Sequence, residues 1–457
     1  MEYEEAKERV LKKIDEMAES MIEFLQELVR IPSPEGEGIE VQEFVKSYLM
    51  GIGADKVDMF YPDIEKLKEH PGFSPMMYPE HGGRRIEEKP VIWGTFKGRG
   101  GGKSLLFTGH MESATGAWEP GIVRHWKHDP FGGIIEGDAL YGKAVVNMKS
   151  GNAAAISAIR AIRAAGIPLK GDVYINTNID EDIGCYGSLE AIRRGYRADA
   201  GINPEPTAHT IGIASTGCQH FRVIVRGKPT YTGGISAIEN AFKVYKVIKD
   251  LDKYRREKYI KPFFEKHPYI QSGYSPGITI GMLRSGVWPC TTPYEAEIEG
   301  SIRHVPGENI EEVRAQLREW IMREAEKDPS MKDDPPTVEF WEYWWDTLIE
   351  PDEPIVKTLK EAFVEIKGKE PEYSASVGDA APFTRFGNTP TVYFGPQSIY
   401  EREAEQGKVA LSFQEKYRGE APVEEASALL EEAISLSSYI ETVKIFALAI
   451  LKWCEVE

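Results

Sequence analysis

The sequence predicts an α/β protein in which a three-layer domain with a mostly parallel sheet is interrupted by a smaller α+β domain. Apolar strands alternate with amphipathic helices up to about residue 213 and again from about residue 350, a pattern typical of a parallel sheet covered by helices. Between residues 214 and 345 the order changes to strand, helix, strand, strand, helix, strand. We therefore assign residues 1–213 and 347–457 to the α/β domain and residues 214–346 to the insertion.

The first elements follow from periodicity and from helix-ending residues. Apolar side chains recur at three- and four-residue steps from Val10 to Leu28, which predicts an amphipathic helix that ends at Pro32. Residues 55–90 are polar and rich in proline and glycine, so we expect a long irregular segment that leaves the body of the domain there. A buried strand is expected at residues 105–108, followed by a loop to about residue 147.

The remaining elements alternate in type. In the α/β part we expect a helix at 149–165, a strand at Val173–Asn178, a helix near 186–194, a strand at 200–202 and a helix at 440–450. In the insertion we expect strands at 221–225, 278–283 and 294–302 and a helix at 310–324. The aromatic run at 340–345 is best interpreted as a core strand and hinge, because aromatic residues favour strands.

Composition narrows the class of protein and its partners. Hydrophobic residues make up 41% of the 457 residues and charged residues 28%, which is ordinary for a globular protein. The net charge of −18 disfavours binding to nucleic-acid phosphates or anionic membranes, so we expect neither partner. The four cysteines include no C-x-x-C pair, and no apolar segment has the length of a signal peptide or membrane span. We therefore expect a cytoplasmic protein.

Acidic and imidazole side chains follow directly on three predicted strands. His110 ends the first strand, Glu181 and Asp182 follow the second, and Glu205 follows the third. Because ligand sites in open α/β sheets lie at the carboxyl ends of the strands, we expect these residues to converge. A histidine among carboxylates suits a divalent ion such as zinc or manganese. Glu112 is placed to accept the other ring N–H of His110 and fix its tautomer.

A series of motifs runs through nearly the whole chain in a recognisable order. They are Gly109-His110-Met111-Glu112, Asp129-Pro130-Phe131, Asn147-Met148-Lys149-Ser150-Gly151, Asp180-Glu181-Asp182, Pro204-Glu205-Pro206, Gly378-Asp379-Ala380 and Phe394-Gly395-Pro396. This order resembles that of the co-catalytic zinc peptidases and deacylases, the family of acetylornithine deacetylase, succinyl-diaminopimelate desuccinylase, aminoacylase and carboxypeptidase G. The resemblance implies a zinc-peptidase-like catalytic domain with an inserted lid domain, and a homodimer formed through the lid.

The resemblance also implies a set of metal ligands, with departures from the family pattern. His110, oriented by Glu112, would ligate metal, and Asp182 and Glu205 would each bind one ion. Asn147 stands where the family has a bridging aspartate, and a neutral amide bridges poorly. Asp182 and Glu205 together balance only one divalent ion, and an uncompensated buried charge is costly. We therefore expect one ion per chain, zinc or manganese with cobalt as a further candidate, held by His110 and Glu205 with Asn147 or water completing the site.

Four further residues are assigned to catalysis and substrate binding by the same resemblance. Glu181 would be the general base that activates water, and Arg303 would hold a substrate carboxylate. Tyr231 replaces the family's lid histidine, and its phenol would donate to a developing oxyanion. Cys290 stands where the lid usually has an asparagine.

The family's last metal ligand, a histidine in a His-x-x-x-Glu turn, has no counterpart after His304. If Glu432 closes that turn, the ligand position falls on Ala428. If Glu405 closes it, the position falls on Glu401. We prefer the first register because it keeps the terminal helix aligned, whereas the second would restore a carboxylate ligand.

Two functions remain open at this point. The first is a metal-dependent hydrolase of C–N bonds in a small carboxylate-bearing substrate, such as an N-acyl amino acid, a dipeptide-like compound or an aromatic or unsaturated amine. The second is a metal-free, inactive family member that serves as a binding or assembly partner. Retention of His110, Glu181 and Glu205 favours the enzyme.

Overall fold

Most of the chain is covered by the structure. The computed structural model describes residues 1–33, 38–75, 88–113, 126–179, 181, 184–230, 233–273, 277–406 and 431–457. Four positions named above, Asp180, Asp182, Tyr231 and Ala428, lie outside the described residues.

Strands and helices are distributed along the whole described chain. The strands are β1 Lys56–Phe60, β2 Val91–Phe96, β3 Leu105–His110, β4 Ile134–Glu136, β5 Ala139–Tyr141, β6 Val173–Asn178, β7 Ala200–Asn203, β8 Ile211–Ser215, β9 Gly217–Arg226, β10 Lys228–Thr230, β11 Gly233–Ile235, β12 Ile270–Gly273, β13 Ile278–Ser285, β14 Glu295–His304, β15 Thr337–Trp344, β16 Thr347–Leu348, β17 Tyr373–Ser376, β18 Thr391–Tyr393 and β19 Ala433–Ser435. The helices are α1 Tyr3–Arg30, α2 Ile39–Gly51, α3 Ile64–Leu67, α4 Ser150–Ala164, α5 Tyr186–Arg193, α6 Ala237–Arg255, α7 Lys261–Lys266, α8 Ile310–Lys327, α9 Pro354–Lys367, α10 Ala380–Phe386, α11 Ile399–Glu405 and α12 Leu436–Trp453.

The large central sheet has the strand order β1-β2-β6-β3-β7-β18-β8-β17-β12, with β16 beside β8. β3 lies near its middle and pairs in parallel with β6 and β7. Successive side chains of a strand point to opposite faces, so Leu105 and Phe107 join the core that contains α4 and α12, while Leu106 joins the core that contains α5 and α10. Helices therefore cover both faces of the sheet. The predicted three-layer α/β class is confirmed.

A second sheet is formed by strands from the predicted insertion. Its order is β13-β14-β9-β15, and we call it the lid sheet. Phe221, Val223 and Ile298 point from one face toward Ile248 of α6 and Leu317 of α8, which form a separate core. The opposite face of this sheet carries Cys218 and His220. The combination of an α/β domain and a lid-like α+β unit agrees with the expected architecture.

One stretch of the insertion returns to the central sheet. β12 pairs in parallel with β17, and Ile260 and Phe263 pack into the main core. The assignment of residues 214–346 to a separate lid domain remains a prediction, and this crossing is a feature that periodicity does not reveal.

Two stretches expected to be irregular contain short strands. Within residues 55–90, β1 pairs antiparallel with β2 at the end of the central sheet. Within the expected loop before residue 147, β4 and β5 pair with each other, and β5 also pairs with β19. Strands of three to five residues are too short for a period to be recognised, and their partners lie far away in sequence. In the described part of the chain, we find no helix with the length and apolar character needed to cross a membrane.

Candidate active site

His110 is the last residue of β3 and lies at the carboxyl end of the central sheet, with 1% of its surface exposed. Its Nε2 atom is 3.0 Å from Oδ1 of Asn147 and 3.5 Å from Oε1 of Glu205. Its Nδ1 atom is 3.5 Å from Oε2 of Glu112 and 3.2 Å from the backbone oxygen of the same residue. The fold thus brings four predicted site residues into one buried cluster.

Two buried carboxylates determine the charge state of His110. Burial by itself lowers the pKa of an imidazole, but Glu112 and Glu205 stabilise the imidazolium and raise the pKa of His110 well above its usual value. The two carboxylates therefore stabilise a positive charge at the His110 ring.

Asn147 is placed by a short π-type turn, Val145–Lys149, which leads into α4. The Glu432 carboxylate accepts hydrogen bonds from the backbone N–H groups of Val146, at 3.3 Å, and of Asn147, at 3.5 Å. Glu432 also pairs with Lys143, and it directly precedes β19. The C-terminal part of the chain therefore fixes the turn that carries Asn147.

Glu181 and Glu205 converge at Gly378, which lies two residues after the end of β17. A Cβ atom added to Gly378 would lie 3.2 Å from Oε1 of Glu181 and 3.4 Å from Oε1 of Glu205. Gly378 has a φ of 139°, a conformation that L side chains rarely adopt. A glycine at this position leaves room for two carboxylates in the same cleft.

The backbone of Glu181 is held from two sides. Its N–H donates to the Glu112 carboxylate, and its carbonyl oxygen accepts a 3.0 Å hydrogen bond from Nε1 of Trp344, at the end of β15. Glu112 thus contacts both His110 and the Glu181 segment. The side chain of Glu181 is 6% exposed, so a carboxylate with the chemistry of a general base lies in a nearly dry site.

Sequence reasoning misses Asp379 as part of this site. Asp379 is fully buried and accepts a 2.6 Å hydrogen bond from Oγ of Ser188, which itself accepts one from Nδ2 of Asn178 at 3.0 Å. Burial raises the pKa of Asp379 to about 6, although the Ser188 bond works in the opposite direction. The same rule that identified Glu205 could have identified Asp379, because both are acidic residues that follow a strand of the central sheet.

Arg303 and Cys290 both belong to the lid sheet or its loops but lie in different places. Arg303 pairs with Cys218 across β14 and β9, and Cys218 packs against Cys185 and Trp344. The charges of both Arg303 and Glu181 act on the pKa of the Cys218 thiol, which burial raises. Arg303 therefore lies on the side of the lid sheet that faces the buried cluster.

Cys290 is exposed and lies in the loop between β13 and β14. Arg303 lies near the far end of β14, so about 27 Å of strand separates it from this loop. Within one chain, as far as the described residues extend, Cys290 does not join the cluster around His110.

The two registers for the missing ligand lead to different surroundings. Glu432, which closes the preferred register, contacts the turn that carries Asn147. Glu401 instead accepts a 2.9 Å hydrogen bond from the backbone N–H of Ser398, at the start of α11. Burial raises the pKa of Glu401.

The donor atoms around His110 fit a divalent cation. An imidazole nitrogen, an amide oxygen and a carboxylate oxygen face one another in a buried site, and these are ligands that zinc and manganese accept. Among the described residues there is no group of three or more His, Cys, Asp or Glu side chains arranged to hold a metal. Asp182, a predicted ligand, lies outside those residues.

These features are those of a metal-dependent hydrolase with its site at the carboxyl end of a three-layer sheet. The chain belongs to Peptidase family M20/M25/M40, whose model matches residues 106–450. This family agrees with the predicted resemblance to zinc peptidases and deacylases.

Two curated relatives are similar over most of the chain. The N-formyl-4-amino-5-aminomethyl-2-methylpyrimidine deformylase of Bacillus subtilis (strain 168) is 26% identical over 88% of this chain and 92% of its own length. The enzyme of the same name from Halalkalibacterium halodurans is 24% identical over 86% of this chain and 90% of its own length.

Solved structures share the fold. The di-peptidase Dug1p of Saccharomyces cerevisiae has a TM-score of 0.72 at 14% identity, covering 100% of this chain and 99% of its own. The YXEP protein of Bacillus subtilis, a dinuclear metal-binding peptidase of the M20 family, has a TM-score of 0.58 at 15% identity, covering 96% of this chain and 99% of its own. The fold likeness alone does not give the activity. Membership of Peptidase family M20/M25/M40 makes the chain a metal-dependent hydrolase of C–N bonds, and the alternative of an inactive binding partner is not favoured.

Proposed function

We propose that the protein hydrolyses the amide bond of a small N-formyl or short N-acyl amine, with Glu181 as the general base and one divalent ion at His110 and Glu205. The observation that carries this proposal is the convergence of the Glu181 and Glu205 carboxylates at Gly378, beside the buried His110. Zinc and manganese suit the nitrogen and oxygen donors, with cobalt as a further candidate.

The reaction needs a proton to move from water to the leaving amine. A divalent ion supplies Lewis acidity, which polarises a carbonyl and makes water more acidic. Glu181 accepts a proton from the attacking water and returns it to the amine nitrogen as the C–N bond breaks, which yields a carboxylate and a free amine. Glu112 keeps Glu181 and His110 in place, because its carboxylate contacts both. Tyr231 from the lid would donate to the developing oxyanion.

The acyl group is proposed from the relatives. Both relatives described above match more than four-fifths of the chain and are deformylases of an aminopyrimidine. A formamide of a small heteroaromatic amine is therefore the first substrate to test.

A second substrate class is favoured by Arg303. Its charge lies beside Cys218 on the lid sheet, toward Glu181, where it is suited to hold a substrate carboxylate. An N-acyl amino acid or a dipeptide-like compound would use this contact. In this proposal Asp182 completes the metal site. The preferred register places Ala428 where the family has its last histidine ligand. The contact of Glu432 with the turn that carries Asn147 supports that register.

We also propose a homodimer formed through the lid. Large apolar side chains are exposed on the edge strand of the lid sheet, its hairpin and the neighbouring helix: Ile238, Phe242, Tyr245, Leu283, Val287, Trp288 and Tyr294. Exposed apolar clusters of this kind mark protein interaction sites, and an unpaired edge strand can pair with its copy. Cys290 lies in that hairpin and would be part of the interface.

All four cysteines are free, which supports a cytoplasmic location.

The test is hydrolysis by purified protein loaded with zinc or manganese. We expect about one ion per chain, release of formate from N-formyl-4-amino-5-aminomethyl-2-methylpyrimidine, and loss of release in Glu181→Gln. A panel of N-acyl amino acids tests the second class. Turnover of the panel without formate release would favour that class, whereas a metal-free protein inactive on both would contradict the proposal.

A further inference from the structure

The lid sheet carries a partly exposed histidine that neither the metal site nor the predicted catalytic residues include. His220 lies on β9, and its Nδ1 is 3.1 Å from Oε2 of Glu342. The histidine side chain is 30% exposed, whereas the Glu342 side chain is 2% exposed. A buried carboxylate beside a partly exposed imidazole is an arrangement that orients the ring.

The position of His220 follows from the register of the lid sheet. Residues directly opposite on neighbouring strands share a face, and so do residues two apart on one strand. Arg303, Cys218 and Trp344 are opposite one another, and the next row along the same face is Ser301, His220 and Trp341. His220 is therefore one row further out than the residues that face the buried cluster.

One indole ring separates His220 from Glu181. The imidazole meets the Trp344 ring at 4.8 Å between centroids and an angle of 61°. Nε1 of Trp344 donates to the Glu181 carbonyl oxygen at 3.0 Å. His220 thus lies one indole ring away from the backbone of Glu181, on the face of the lid sheet that carries Arg303.

Glu342 is held in an unusual conformation. The register between β15 and β9 shifts between Trp341 and Tyr343, which leaves Glu342 as the extra residue of a β-bulge with a φ of 37°. Bulges often redirect a side chain near an active site, and a non-glycine residue in this region is strained. Among the described residues Oε1 of Glu342 has no hydrogen-bond partner. In the part of the chain that the structure describes, the carboxylate of Glu342 is therefore directed at His220.

The bulge is fixed from the other face of the sheet. The buried Gln219 amide donates to the carbonyl oxygens of His220 at 3.0 Å and of Glu342 at 3.1 Å. Its own oxygen accepts from Nε of Arg314, on α8, at 2.8 Å. The pair is therefore supported by side chains that do not face the cleft.

We propose that His220 is a substrate-binding residue and that Glu342 is its positioning residue. In the tautomer that carries its proton on Nδ1 and donates it in a hydrogen bond to the Glu342 carboxylate, Nε2 of His220 has a lone pair. That lone pair accepts a hydrogen bond from an N–H group of the substrate, on the part that is not cleaved. This assignment rests on the proposed function, and it selects substrates whose amine portion carries a second N–H donor, such as a ring amino group.

The test compares two probes in proteins that bind without turnover. The probes are N-formyl-4-amino-5-aminomethyl-2-methylpyrimidine and its analogue without the 4-amino group, and binding is measured by calorimetry in metal-loaded Glu181→Gln. We expect the amino probe to bind about tenfold more tightly, the effect of one hydrogen bond of ordinary strength. Adding His220→Phe, which keeps a ring against Trp344, should reduce the ratio to about one.

Further variants separate positioning from folding. Glu342→Gln keeps an oxygen that can accept a hydrogen bond from Nδ1, so it should retain most of the affinity ratio between the two probes. Glu342→Ala should lose that ratio. It also tests the proposal if His220→Phe fails to fold. The matched control Glu339→Gln, on the same strand but paired with Arg222, should keep the full ratio. If the affinity ratio persists in both His220→Phe and Glu342→Ala, the inference is overturned. If the wild-type protein still releases formate in that case, the proposed function stands. Failure of a folded, metal-loaded protein to bind or hydrolyse either probe overturns the proposed formamide substrate as well.

Discussion

Nε1 of Trp344 donates a 3.0 Å hydrogen bond to the backbone carbonyl oxygen of Glu181, and this bond joins the lid sheet to the loop of the proposed base. Trp344 ends β15 and is 6% exposed, so the bond is nearly shielded from water. The position of the lid and the position of the base are therefore coupled through one side chain.

The first prediction concerns this bond. Trp344→Phe removes the indole donor but keeps an aromatic ring, so we expect kcat to fall about three- to tenfold, the effect of one lost hydrogen bond. Trp345→Phe is a matched control, because it removes an indole bond of 3.2 Å to the carbonyl of Gly72 instead. Steady-state kinetics would contradict the idea if the two variants lowered kcat equally.

The second prediction concerns the general base. Glu181→Gln keeps the size of the side chain but removes its basicity, and we expect a loss of about 10²- to 10⁴-fold in kcat. Metal content and melting temperature should remain unchanged. The exposed Glu136 provides a control, and Glu136→Gln should retain full activity. Retention of wild-type kcat in Glu181→Gln would assign the base to another residue.

The third prediction concerns metal binding. His110→Ala and Glu205→Ala each remove a donor that the structure places at the proposed site, so elemental analysis should find the ion lost from both. Asn147→Asp adds a carboxylate 3.0 Å from the imidazole and should raise the affinity for zinc or manganese, because it adds negative charge beside the ion. A weaker affinity in Asn147→Asp would show that the amide is not near the metal.

The fourth prediction concerns Gly378. Alanine there would crowd Oε1 of both Glu181 and Glu205, at 3.2 and 3.4 Å, in addition to straining the backbone at φ 139°. We expect kcat/KM to fall at least tenfold. Gly100→Ala is the control for strain alone, since Gly100 has a φ of 98° and open space around its Cβ position. Equal kinetic effects of the two substitutions would argue against a specific role for Gly378.

The fifth prediction concerns stability and pH. His209 is buried, and its Nε2 is 2.8 Å from Oγ1 of Thr442. Burial, with Lys367 adding to the effect, lowers the pKa of His209 to about 3, although Glu405 opposes it. The unfolded chain therefore binds a proton below about pH 6.5 that the folded chain does not, so stability is lost as pH falls from 6.5 toward 3, by up to about 1.4 kcal/mol for each pH unit.

Urea denaturation at pH 7, 6 and 5 checks this prediction. His209→Gln keeps a polar side chain near Thr442 but has no proton to bind in this range. Its free energy of unfolding should therefore depend less on pH than that of the wild-type protein, by roughly the amount above. Identical pH dependence in the two proteins would show that His209 is not the group responsible.

Much of the fold follows from local pattern. The helix predicted from Val10 to Leu28 is α1, and the alanine-rich helix at 149–165 is α4. Both are long and strongly periodic, and both pack into the main core. The short strands β4 and β5 carry no such signal, because they are stabilised by pairing with each other and with β19, almost 300 residues away.

The candidate site follows the same division. The positions of His110 and Glu205 after their strands are enough to predict that they meet, since parallel strands end at one edge of a sheet. Asp379 obeys that rule too, but β17 was not among the predicted strands. The pair of His220 and Glu342 has no sequence signal at all, because it depends on a bulge that turns one carboxylate toward another strand.

The sequence by itself determines the fold class, the family and the residues at the ends of the central strands, because these depend on periodicity and on short motifs that act locally. Only the tertiary structure decides which side chains share the cleft. The convergence at Gly378, the bond from Trp344 to Glu181 and the pairing of His220 with Glu342 each join segments far apart in the chain, and their distances depend on packing between sheets that no local pattern encodes.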